Sequence, residues 1–131
     1  MIVVDTSALM AILEDEPELD RFVTLIANDD DVVIAAPTYL EFMMVSISRR
    51  GGEHRATSDE LLQRLSIRVI GWSQEMADIA TETFIRFGKG RHPAQLNFGD
   101  CMAYALAKSF DAPLLFKGND FSLTDIESAA V

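Results

Sequence analysis

Apolar and polar positions alternate along the chain in blocks that read as strands separated by helices. Ile2-Val3-Val4 is a short β-branched run that meets Asp5-Thr6-Ser7 without a gap, which predicts a buried strand entering a helix. Ala8, Leu9, Ile12 and Leu13 form the apolar face of that helix. Glu16-Pro17 predicts a second helix start, with proline in its first turn and Leu19, Phe22, Val23 and Ile26 at helical spacing. A turn at Asn28-Asp29-Asp30-Asp31 leads to a second buried strand, Val32-Val33-Ile34-Ala35. Pro37 opens a third, largely apolar helix that Gly51-Gly52 closes. Thr57 and Glu60 have the spacing of a capping box for a short helix through Leu65.

Ile67-Arg68-Val69-Ile70 predicts a third strand, and Ser73 caps the helix carrying Met76, Ala80 and Phe84. Residues 87–98 hold Gly88, Gly90 and Pro93 and read as a loop. A helix over 99–109, a strand over Pro113-Leu114-Leu115-Phe116 and a short terminal strand from Ser128 to Val131 complete the pattern. Strands alternating with helices predict a three-layer α/β/α sandwich around a mainly parallel sheet. Such sheets hold their sites just beyond the carboxyl ends of the strands.

Composition sharpens this. A chain of 131 residues, 49% of them hydrophobic, suits a single domain over 1–131 with a closed core. Its longest apolar runs fall well short of the ~18 residues that span a bilayer, so no membrane role is expected. No basic leader precedes Asp5, and the single cysteine excludes an internal disulfide; both point to the cytoplasm. The formal charge of −10 argues against a protein that coats nucleic acid, because phosphate contacts demand cations. Setting aside four candidate ligand acids still leaves the remainder acidic. That charge would suit a basic protein partner.

The informative acids are those that interrupt apolar segments, since a buried charge without a partner is expensive. Asp5 ends the first strand. It could cap the following helix, but Thr6 and Ser7 are also capping residues and would free its carboxylate. Glu41 is the only charged residue between Asp31 and Arg49; it marks either a thin solvated stripe or an acid turned into a site. Asp100 begins an apolar helix, and Asn97 three residues earlier gives the outline of a capping box. Asp120 follows the fourth strand in Gly118-Asn119-Asp120, which is ordinary turn chemistry taken alone. In a parallel α/β fold, Asp5, Asp100 and Asp120 converge on one edge of the sheet. Carboxylates so gathered repel, and a hard divalent cation, Mg²⁺ or Mn²⁺, relieves the repulsion. Lys89, Arg91 and His92 before Asp100, together with Lys117, are candidate contacts to an anionic substrate, with a plain solvated loop as the alternative. Neither His54 nor His92 is spaced for zinc, and Cys101 reads as a small core residue.

The segments Met1–Leu9, the helix bearing Glu41, Leu96-Asn-Phe-Gly-Asp-Cys, and Pro113-Leu-Leu-Phe-Lys-Gly-Asn-Asp-Phe resemble those of PIN-domain proteins. Within that family the chain is similar to the VapC toxins of bacterial toxin–antitoxin pairs, over essentially its whole length. The resemblance implies an Mg²⁺- or Mn²⁺-dependent endoribonuclease. Asp5, Asp100 and Glu41 match the metal-binding acids, and Thr6 or Ser7 the supporting hydroxyl. The chain departs from the pattern at Gly118, where many members carry an acid; Asp120 would substitute. The resemblance also implies an RNA substrate, a VapB-type antitoxin and a homodimer. A catalytically inert PIN-like module that binds RNA or protein is the competing reading. Haloacid-dehalogenase-like phosphatases and response-regulator receivers fit poorly: the first need an acid where Ser7 stands, the second an Asp after the third strand.

Overall fold

The runs Ile2–Val4 and Val32–Ala35 form strands because each alternates between two apolar layers, whereas Ile67–Ile70 is an edge strand that leaves Arg68 and Val69 exposed. The computed structural model describes residues 1–130 of the chain. In order these form β1 (Ile2–Val4), α1 (Thr6–Leu13), α2 (Leu19–Ala27), β2 (Val32–Ala35), α3 (Ala36–Arg50), α4 (Arg55–Arg64), β3 (Ile67–Ile70), α5 (Gln74–Phe87), α6 (Phe98–Ser109) and β4 (Leu114–Leu115). All strand pairs are parallel, in the order β3-β2-β1-β4. Val3 is the central register point, opposite Val33 on one side and Leu114 on the other.

The pleat sorts the core into two layers. Ile2, Val4, Val32 and Ile34 face Leu9, Phe22, Ile26 and Phe42 on the side of α1 to α4. Val3, Val33, Ala35 and Leu114 face the other side, where α5 and α6 lie. Ala103, Ala105 and Ala107 are fully buried there, and such small side chains let α6 approach the sheet closely. The architecture is the expected α/β/α sandwich. From β1 the chain moves outward through β2 to β3, then returns to place β4 on the opposite flank of β1. The strand order therefore reverses between β1 and β4, which opens a crevice at their carboxyl ends.

Several local expectations change. Residues 14–18 form a connector rather than a helix start: Asp15 adopts a positive φ of 55°, and α2 begins only at Leu19. The Thr57–Glu60 capping box does not form. A 3₁₀ turn at Gly52–His54 feeds directly into α4 at Arg55, so Thr57 already lies inside the helix, and Glu60 pairs with Arg64 instead. The fourth strand shortens to two residues. The terminal segment makes one parallel bridge, Ser128 to Leu114, rather than a strand; Val131 of that expectation lies outside the described residues. Among the described residues, no helix is long and apolar enough to cross a membrane.

Candidate active site

The crevice between β1 and β4 is a cleft of about 480 Å³ lined by Asp5, Thr6, Ser7, Met10, Glu16, Glu41, Val45, Arg49, Asp100, Lys117, Gly118 and Asp120. All four predicted acids meet there, although Asp5 and Asp120 stand at opposite ends of the sequence. The strand ends bring them together: Asp5 leaves β1, Lys117–Asp120 follow β4, α3 rises from β2 with Glu41 in its second turn, and α6 presents Asp100 in its first.

Asp5 is itself the cap of α1. Its Oδ2 accepts from the Ser7 amide at 3.0 Å and from the Ser7 hydroxyl at 2.6 Å. Neither neighbouring hydroxyl replaces it, because Ser7 is spent on Asp5 and the Thr6 hydroxyl donates to Glu41 Oε1. Ser7 Oγ in turn accepts from the Lys117 amide at 3.0 Å, which ties the loop after β4 to the start of α1. Asp100 forms the anticipated capping box: Asn97 N donates to Asp100 Oδ2 at 3.0 Å, and Asp100 N to Asn97 Oδ1 at 2.9 Å. Capping and site membership are thus compatible, since capping occupies one oxygen of each carboxylate. The second oxygens of Asp100 and Glu41 accept no hydrogen bond among the described residues.

Crowding explains the electrostatics. Burial pushes the Asp5 carboxyl up to about 6, with the Glu41 charge adding to it and the Ser7 hydrogen bonds opposing. Burial pushes Asp100 up to about 7, and the charges of Asp5, Asp120 and Glu41 add to the effect. The two cations on the rim do not relieve this repulsion, because both are committed elsewhere. Lys117 Nζ lies 2.8 Å from Glu16 and 3.3 Å from Glu18, and Arg49 pairs with Glu14. Oxygen donors in mutual repulsion, with second oxygens unengaged, fit a hard divalent cation. They are not a ready-made cage: among the described residues no three His, Cys, Asp or Glu side chains are already gathered as a ligand set.

The basic loop does not line this cleft. Lys89, Arg91 and His92 are absent from the cleft walls. Arg91 Nε donates to the Ile85 carbonyl at 3.3 Å, and His92 sets its ring edge-on to Phe87 while its Nδ1 accepts from Ala94 N. Cys101 is buried, and burial holds its thiol at about 11, protonated and inert, as its core reading requires.

Arg49, which lines the cleft, and Gly99, which packs against the Glu41 carboxylate, escaped the sequence reading. Arg49 was legible in principle: Glu41, Val45 and Arg49 recur at four-residue steps, one face of α3. Gly99 carries a subtler signal. A β-carbon there would overlap the Glu41 carboxylate, so glycine is what lets the first turn of α6 close onto α3.

A PIN-domain family model matches residues 2–127. The chain is 44% identical over 125 residues to Ribonuclease VapC of Mycolicibacterium smegmatis, covering 95% of this chain and 97% of that one. The solved structure of Mycobacterium tuberculosis VapC20, described as a sarcin–ricin-loop-cleaving toxin, matches with a TM-score of 0.77 at 18% identity, over 96% of each chain. A toxin–antitoxin complex from Klebsiella pneumoniae matches with a TM-score of 0.70 at 18% identity, over 95% of this chain and 93% of that one. At such identities the structures speak for the fold, while the family model and the close relative carry the kinship. This chain belongs to the PIN-domain family, among relatives named VapC ribonucleases.

Proposed function

We propose that this protein is a divalent-metal-dependent endoribonuclease of the VapC type, acting in the cytoplasm and held in check by a VapB-type antitoxin. The observation that carries the reading is the cleft itself, where Asp5, Glu41, Asp100 and Asp120 converge with no uncommitted cation among them. Asp5, Asp100 and Glu41 would hold Mg²⁺ or Mn²⁺, which when bound supplies a water of lowered pKa and offsets charge building on the phosphate oxygens. The chain's own residues do the rest. Ser7 and Asn97 hold Asp5 and Asp100 rigidly by one oxygen each, and Thr6 does the same for Glu41. Asp120, exposed at the lip of the cleft, would help shape a second cation site. Lys117 offers a positive charge at the rim once an incoming phosphate competes with Glu16 and Glu18.

The partner reading rests on surface chemistry. Beside the cleft, Leu40, Met44 and Phe98 are 58%, 60% and 78% exposed, an apolar belt that a monomer alone does not explain. With a formal charge of −10, an antitoxin bearing apolar and basic residues fits this face; a second copy of the chain is the other occupant we propose, on a separate part of the surface. Cleavage of an RNA pool with Mn²⁺ or Mg²⁺, abolished by EDTA and by Asp5→Asn and Asp100→Asn, is the expected result. Binding of RNA or antitoxin without any cleavage under either ion would instead mark an inert module.

A further inference from the structure

The chain has 11 lysines and arginines against 21 acids, so a cation beside a carboxylate cleft calls for a reason. Among the described residues two line the cleft, and acids of the connector between α1 and α2 hold both. They are held unequally. Lys117 has Glu16 and Glu18, and Glu16 foremost raises its ammonium above the usual lysine range. Arg49 has Glu14 alone, in an exposed ion pair, and exposed pairs are weak and exchange readily. Arg50, the next residue, is spent on structure: its Nη1 donates to the Leu13 carbonyl at 3.2 Å, at the end of α1, and it does not line the cleft.

We propose that Arg49 is a substrate-binding residue that grips a backbone phosphate beside the scissile one, and that Glu14 stands in for this phosphate when RNA is absent. This rests on the ribonuclease reading above. Arg49 lies two helical turns beyond Glu41 on the same face of α3, about 12 Å along the axis. That offset suits a neighbouring phosphate rather than the one under attack. The guanidinium fork takes two phosphate oxygens at once, whereas a carboxylate offers the same bidentate pattern with less charge. In an acidic protein the cations that meet RNA must be local, and Arg49 is the rim cation least firmly engaged.

The test compares Arg49→Gln, Arg49→Lys, Arg50→Gln and Glu14→Gln in the full chain, using a single-stranded RNA oligonucleotide with Mn²⁺. Binding is measured in parallel, in an Asp100→Asn background, across a salt series. Arg49→Gln is expected to raise KM about tenfold with kcat within about twofold, and to flatten the salt dependence of binding by about 0.7 in log–log slope. Arg49→Lys keeps that slope. Glu14→Gln, which frees the guanidinium, lowers KM about twofold to threefold. Arg50→Gln makes the same charge change and leaves KM and slope where they are. An unchanged KM and slope in Arg49→Gln, or an equal effect from Arg50→Gln, overturns the assignment. Should Arg49→Gln fail to fold, the Glu14→Gln shift decides alone. Should the wild type cleave no RNA, the ribonuclease reading falls, while the salt slope still decides whether Arg49 meets phosphate.

Discussion

Two charged regions lie on either side of the start of α6. In the loop over 88–97, Lys89, Arg91 and His92 come from one continuous stretch, and the contacts of Arg91 and His92 are local: the carbonyl of Ile85, the ring of Phe87, the amide of Ala94. In the cleft, charges arrive from the ends of β1, α3, α6 and β4 and are positioned by one another. A charge placed by its own segment finds partners within that segment. A charge delivered by the fold can be left buried and facing its like: burial first, with the neighbouring acids adding to it, raises Asp5 to about 6 and Asp100 to about 7. In the second kind of region the fold leaves a demand that a ligand can meet.

The contrast is broken most directly by removing the conflict. Asp100→Asn or Asp5→Asn is expected to lower kcat by at least about a hundredfold, as is chelation, with added Mn²⁺ restoring only the chelated wild type. Single-turnover RNA cleavage reads both. A milder intrusion is Gly99→Ala. Its methyl must displace the flexible Glu41 side chain rather than backbone, so the protein should fold with near-wild-type melting while activity drops about tenfold, the scale of a disturbed supporting contact.

Stability follows the same logic with pH. Because the folded pKa values of Asp5 and Asp100 lie above the unfolded value of 3.8, the folded state binds more protons between pH 4 and about 7. Their contribution is fully present below about pH 4 and is lost as pH rises through 6 to 7. In metal-free buffer, thermal melting should therefore fall across that window. Asp100→Asn should melt about 3–6 °C above wild type at pH 8 and show no such gain at pH 4. Mn²⁺ should raise the wild-type melting point more at pH 8 than at pH 5. The smallest effect belongs to the loop: Arg91→Gln is expected to change kcat/KM less than twofold, and a tenfold loss would return the loop to the site.

Much was readable locally. The runs 2–4, 32–35 and 67–70 form strands as their β-branched patterns require, Pro37 sits in the first turn of α3, and Ser73 caps α5. The Asn97–Asp100 capping box forms in full. The failures have physical causes. The Thr57–Glu60 box lost to a 3₁₀ turn that extended α4 backward, and Pro17 lost its helix to a connector that sends its acids to the rim. Arg91 closely precedes Asp100 in the chain, yet its side chain turns back to the Ile85 carbonyl of α5.

The chain's own order of residues determined which acids are out of place: a carboxylate ending a run of valines, another opening an alanine-rich helix, a third alone on an apolar one. Hydrophobic period and capping chemistry are nearest-neighbour effects, so they leave marks within a few residues. Which of those acids share one cleft, and that Arg49 rather than Arg91 stands at its rim, was decided by the parallel register and by the reversal of strand order between β1 and β4. That decision is made by burying both faces of the sheet at once, and the energy of doing so is spread over the whole core rather than written at any single position.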